Sequence, residues 1–145
     1  MLEGLSDRPD VKQVERFLEE LLDRKGEELE FVVLFGSMAR GDWSVGSDYD
    51  LFIGLTRDDG RRFIDRLEEF SAREGRIEVF PYARSEWQRM FEGFHPLLLD
   101  ALEHGVVLWD RGAFAQMRER FRKWRQEGRV RPWRCGWKIV TSQQN

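Results

Sequence analysis

The residues of this chain best suited to chemistry lie in one stretch, LFGSMARGDWSVGSDYDLFIGL, from Leu34 to Leu55. An apolar run ends in Gly36-Ser37, and ten residues later Asp48-Tyr49-Asp50 opens a second apolar run. Side chains alternate along a strand, so Asp48 and Asp50 project to one face with their Cα atoms roughly 7 Å apart. Two acids at that spacing repel unless a cation sits between them. Hard divalent cations such as Mg²⁺ take carboxylate oxygens and keep waters that substrate phosphates can replace. Gly36-Ser37, ending a strand and beginning a helical turn, aims backbone N–H groups outward, and glycine lets an anion approach the main chain. The Ser37 hydroxyl adds a donor. A phosphate cradle beside paired acids suits a nucleoside triphosphate and its metal.

A third acid would complete such a site. Glu78 stands between Ile77 and Val79 in RIEVFPYA, mid-strand, where a charge is costly without a purpose. If that strand lies beside the one carrying Asp50, Glu78 reaches the same place. Three carboxylates suit two-metal phosphoryl chemistry, with the ions about 4 Å apart.

The elements that must position these residues follow from periodicity. Val11, Val14, Phe17, Leu18, Leu21 and Leu22 recur at helical spacing, with Gly26 where a C-terminal cap belongs. EFVVLFG is a buried strand, SMARG one helical turn, DWSVGS a loop and DYDLFIGL a second strand. Residues 60–73 are expected as an amphipathic helix with Phe63, Ile64, Leu67 and Phe70 on one face. RIEVFPYA is a third strand, and Pro81 marks it as an edge or a strand end. Helices over SEWQRMFEG and HPLLLDALEHG, a strand VVLWD and a basic helix from Gly112 to Gln126 complete the order. RVRPWRCGWKIV reads equally as an ordered arm or a strand. This succession gives an α/β or α+β domain with one small mixed sheet.

GSMARGDWSVGSDYDL resembles the signature of the DNA-polymerase-β-type nucleotidyltransferase superfamily: Gly-Ser, a spacer, then Asp-x-Asp among apolar residues. Within it the chain most resembles the minimal stand-alone MNT-type proteins of prokaryotes, whose spacing it reproduces. HPLLLDALEHGVVLWDRGAF is similar to the end of such domains. The resemblance implies a polymerase-β-like fold, a small mixed β-sheet flanked by helices. It also implies two Mg²⁺ ions and transfer of a nucleoside monophosphate, expected to be AMP from ATP, to an acceptor. Carried over by position, Asp48, Asp50 and Glu78 are the catalytic and metal-binding acids. Gly36 and Ser37 contact the triphosphate, and Arg40 faces the phosphates. The third acid is often Asp in the family, and Glu78 is one methylene longer.

Residues 1–128 are expected as the minimal nucleotidyltransferase domain and 129–145 as a basic C-terminal arm. That leaves little room for an acceptor domain, so the acceptor should arrive on another molecule. MNT-type proteins are commonly paired with a small helical HEPN protein, a candidate RNase toxin, which implies an antitoxin role. Other readings are a binding module that acts by contact, and a transferase for a small molecule or RNA.

The composition bounds these readings. No apolar run approaches the ~20 residues that cross a bilayer, and MLEGLSDRPD lacks a basic leader, so no membrane and a cytoplasmic location are expected. The single cysteine, Cys135, excludes an intramolecular disulfide and a cysteine zinc cluster. His95 and His104 fall at a helix start and end, without ligand partners. Net charge is −3 but unevenly spread. Residues 111–145 hold ten Lys/Arg against Glu119 and Glu127, while residues 1–110 hold fourteen against twenty-five acids. With Trp124, Trp133 and Trp137, the basic segment could bind single-stranded nucleic acid. The favoured reading packs it on the acidic body through those tryptophans.

Overall fold

The computed structural model describes residues 3–72 and 75–140. Four strands, β1 (Leu29–Phe35), β2 (Tyr49–Leu55), β3 (Ile77–Tyr82) and β4 (Val106–Asp110), form a sheet in the order β3-β2-β1-β4. β1 is antiparallel to β2 and β4, whereas β2 and β3 are parallel, so the sheet is mixed. β3 is an edge strand, which is where Pro81, without an N–H to donate, is tolerated.

Alternate residues of β1 enter different cores. Val32 and Leu34, with Leu51 and Ile53, meet the Val14, Phe17, Leu18 and Leu21 face of α1 (Val11–Lys25). Phe31, Val33 and Phe35, with Phe52, meet α4 (Arg84–Glu92), α5 (Pro96–His104) and α6 (Ala113–Gln126). A strand covered on both faces reads as an unbroken apolar run. The second core is largely aromatic, with Phe31 5.3 Å from both Trp87 and Phe114 between ring centroids. Gly54 makes room there, since a Cβ at this position would lie 2.4 Å from the Phe31 ring.

The helix expected over 60–73 is shorter: α3 spans Phe63–Phe70, and Arg73 lies outside the described residues. Ile64, expected on the buried face, is 64% exposed, and Arg66 is buried instead at 2%. Arg66 takes that place because its guanidinium is fully engaged. It donates to the carbonyls of Pro81 (2.7 Å) and Arg61 (2.9 Å) and pairs with Asp59 and Glu86. Glu86 also accepts from the Ala83 N–H, so one carboxylate secures both α3 and the start of α4. Gly26 does follow α1, but with a right-handed φ of −50° that continues into a short 3₁₀ turn before β1.

Beyond α6 the chain forms a two-stranded antiparallel ribbon, β5 (Val130–Trp133) and β6 (Gly136–Ile139), separate from the main sheet. Val130 is buried, and Trp137 and Ile139 pack on the second core. Trp124 is buried against Phe91 and Phe94. Among the described residues no helix is long and apolar enough to cross a membrane.

Candidate active site

Tyr49 fixes the acid pair. It is the residue between Asp48 and Asp50 and is buried, its hydroxyl donating to the Pro9 carbonyl at 2.6 Å. Burial, with Asp10 nearby, raises the Tyr49 pKa, so the phenol stays a donor. Its N–H donates to the Arg76 carbonyl at 2.7 Å, tying the start of β2 to the start of β3. With Tyr49 turned into the first core, its two neighbours must face the other way. Asp50 is the second residue of β2, while exposed Asp48 lies one residue before the strand begins.

The register brings the remaining residues to Asp50. It pairs with Phe35 on β1 and with Glu78 on β3. Partners in a parallel ladder share a face, so Glu78 stands beside Asp50 as the sequence anticipates. Glu78 is exposed and forms no ion pair among the described residues, with Arg76 and Arg84 engaged elsewhere. Gly36 follows Phe35 directly. Its φ of +76° is left-handed, and a Cβ there would lie 2.5 Å from Asp50 Oδ2. The glycine therefore serves two needs: the turn requires its backbone, and the carboxylate occupies the space of a side chain.

Gly36 leads into α2 (Ser37–Arg40), a single turn whose Ala39 and Arg40 N–H groups donate to the Gly36 carbonyl. The N–H groups of Ser37 and Met38 and the Ser37 hydroxyl make no hydrogen bond among the described residues. They are the donors a phosphate would use. Arg8 steadies this turn by donating from Nε to the Met38 carbonyl at 3.0 Å. The spacer closes on itself through Ser44 and Ser47, and Arg76 donates to the Val45 carbonyl. These contacts tie the segment just before Asp48 to the start of β3.

Electrostatics single out Asp50. Its pKa is raised from 3.8 to about 6, first by burial, then by the charges of Glu78 and Asp48, with Arg40 opposing. Three like charges thus converge on a half-buried position, a donor set that fits a hard divalent cation. Among the described residues no three His, Cys, Asp or Glu stand close enough to form a finished cation cage. Asp48 and Glu78, both exposed, flank Asp50 without closing on it.

Arg40 is near Asp50, but its guanidinium is held by Asp42 and, at 3.1 Å, by Asp100 of α5. Asp100 is a site-side residue that the sequence reading does not single out. Its one signal is an acid set between Leu99 and Ala101, both buried. Tyr49 and Arg8 are likewise recognisable only once their nonlocal carbonyl partners are known. A cavity of about 500 Å³ lies farther along β3, lined by Tyr82, Glu86, Arg89 and His95. It contains none of the residues expected in the site, but Tyr82 shares its strand face with Glu78.

The sequence profile of the family described as "Nucleotidyltransferase domain" matches residues 14–104. The chain belongs to this family. The match runs from within α1 to the end of α5 and so includes Gly36, Ser37, Asp48, Asp50 and Glu78. Among solved structures, a candidate nucleotidyltransferase from Sulfolobus solfataricus is 24% identical, with a TM-score of 0.50 over 69% of this chain and 79% of that one. A toxin–antitoxin complex with AMP-PNP is 18% identical, with a TM-score of 0.52 over 79% and 89%. A variant of the MntA–HpeT toxin–antitoxin pair is also 18% identical, with a TM-score of 0.51 over 79% and 88%. These likenesses are of fold. Curated proteins yield no match. The nucleotidyltransferase sheet is completed by β4, which lies beyond the matched segment.

Proposed function

We propose that this nucleotidyltransferase moves AMP from ATP to a hydroxyl of a partner protein, and that the partner is a small helical HEPN-type toxin that it restrains. The observation that carries the reading is the half-buried Asp50, wedged against Gly36 and flanked by Asp48 and Glu78. The Ser37 and Met38 N–H groups and the Ser37 hydroxyl hold the outer phosphates. Asp48, Asp50 and Glu78 would hold two Mg²⁺ ions, which when bound neutralise the triphosphate and acidify the attacking hydroxyl. The acceptor oxygen bonds to the α-phosphorus, the bond from that phosphorus to the bridging oxygen breaks, and pyrophosphate leaves. Glu78, exposed and without an ion pair among the described residues, takes the hydroxyl proton. Arg40, released from Asp42 and Asp100, turns to the phosphates. The toxin–antitoxin structures of similar fold support a protein acceptor.

A second reading, restraint by contact with little catalysis, is favoured by the unfinished cation cage and by the tethered Arg40. One experiment separates the two. The protein is incubated with α-³²P-ATP, Mg²⁺ and the product of the adjacent gene, beside the other three NTPs and an Asp48→Asn/Asp50→Asn variant. Label on the neighbour, lost in the variant, is the expected result. An unlabelled neighbour in a tight complex that survives the double substitution would replace transfer with contact.

A further inference from the structure

The β5–β6 ribbon has a face that the fold does not use. On its inner face Val130 is fully buried and Trp137 meets Phe121, with Ile139 opposite Val130, while Pro132 opposite Trp137 stays exposed. The alternate pairs, Arg131↔Lys138 and Trp133↔Gly136, point outward. Trp133 is 50% exposed. Lys138 Nζ lies 4.6 Å from its ring centroid, and Arg134 Cζ lies 5.7 Å away.

The outer face of this ribbon gathers positive charge that no carboxylate among the described residues offsets. Arg131 and Lys138 stand directly opposite each other, an arrangement that destabilises an antiparallel pair. Arg134 adopts φ 54° at the tip, a left-handed position that favours Gly or Asn. Arg131, Arg134 and Lys138 form no ion pair among the described residues, nor do exposed Arg120, Arg122 and Lys123 of α6. Among the described residues the acidic body meets the basic segment in one ion pair, Arg125 with Glu103. The tryptophans divide accordingly: Trp124 and Trp137 pack inward, and Trp133 does not.

We propose that the outer face of this ribbon binds single-stranded nucleic acid. Trp133 stacks on a base as Lys138, now over its ring, moves to a phosphate, and Gly136 opposite adds no side chain to obstruct the approach, with nothing within 4 Å of where a Cβ would lie. Arg131, Arg134 and Lys138 meet successive phosphates. A positively charged surface with one exposed ring suits a ligand that alternates π-faces with anions. A duplex hides its base faces, and a polyanion without rings gives Trp133 nothing to stack on. This activity is independent of nucleotidyl transfer.

The test is fluorescence anisotropy of the full chain, without NTP or metal, with labelled RNA and DNA single strands of about 12 nucleotides. A duplex of the same sequence and polyglutamate serve as competitors. Single strands should bind at about 50 mM salt and weaken steeply by about 200 mM. Trp133→Ala should cost roughly tenfold without changing the salt slope, and Trp133→Phe should restore most of it. Arg131→Gln/Lys138→Gln should flatten the slope by about 1.4, or about 0.7 per lost contact. Melting curves confirm that each variant is folded. Absent binding at low salt, equal competition by polyglutamate or duplex, or indifference to Trp133→Ala would each overturn the proposal.

Discussion

Arg66 and Asp50 are both charges set against the same sheet, and the fold surrounds them in opposite ways. Arg66 is almost wholly buried, yet two carbonyls and two carboxylates satisfy its guanidinium. Asp50 is less buried, yet burial and then the charges of two more acids, Glu78 and Asp48, push its pKa up to about 6. A charge used for structure is surrounded by opposite charge and hydrogen-bond partners. A charge kept for a ligand is left in like company, so that the ligand supplies what the protein withholds. Removing Arg66 should therefore damage the fold and spare the chemistry, whereas removing Asp50 should do the reverse.

The largest effect should come from Asp50→Asn, which is isosteric and leaves the turn intact. Transfer of the α-phosphate label should fall on the order of a thousandfold, about 4 kcal/mol, with no loss of thermal stability. A variant that melts early would erase the contrast with Arg66. Next is Arg66→Met, which leaves Asp59 and Glu86 without their cation. Chemical denaturation should show a loss of about 3 kcal/mol, while the activity of the folded fraction stays near wild type.

Gly36→Ala probes the junction of the two requirements. The left-handed backbone and the approach of Asp50 Oδ2 both oppose a methyl group, so about 1–3 kcal/mol of stability should be lost. Activity should fall as well, because Asp50 must move. Denaturation and label transfer on the same sample read both.

The smallest effect sharpens the comparison through pH. The Asp50 carboxyl binds its proton more tightly in the fold, at about 6, than in the unfolded chain, at 3.8. Its contribution to stability is therefore greatest below about pH 4 and is lost as pH rises through 6. In metal-free protein the loss should be about 2 kcal/mol, discounted for partial exposure. Asp50→Asn should abolish this slope, and a divalent cation should restore stability above pH 6.

The site was more legible in the sequence than the elements around it. Gly36-Ser37 and Asp48-x-Asp50 carry their chemistry in local spacing, and alternation alone puts the acids on one face. The meeting of Glu78 with Asp50 depended on β2 and β3 being neighbours, which the register supplies. What stayed hidden depends on distant partners. Periodicity turns Ile64 inward, but only a loop carboxylate, a strand carbonyl and a helix carboxylate together make Arg66 the better core residue. Asp100 acquires its role only because α5 crosses near α2. The ribbon lacked a turn signal, since Arg134-Cys135 stands where Asn-Gly would have announced a hairpin.

The two-sided construction of that ribbon also bears on how the protein can change over generations. Its inward residues are held by packing on α6, while its outward ones touch nothing the fold depends on. It follows the segment that matches the nucleotidyltransferase profile. Substitutions at positions 131, 133 and 138 thus leave both cores and the candidate site untouched. Descendants of this gene can acquire, retune or abandon whatever the outer face recognises while the enzyme beneath is inherited unaltered.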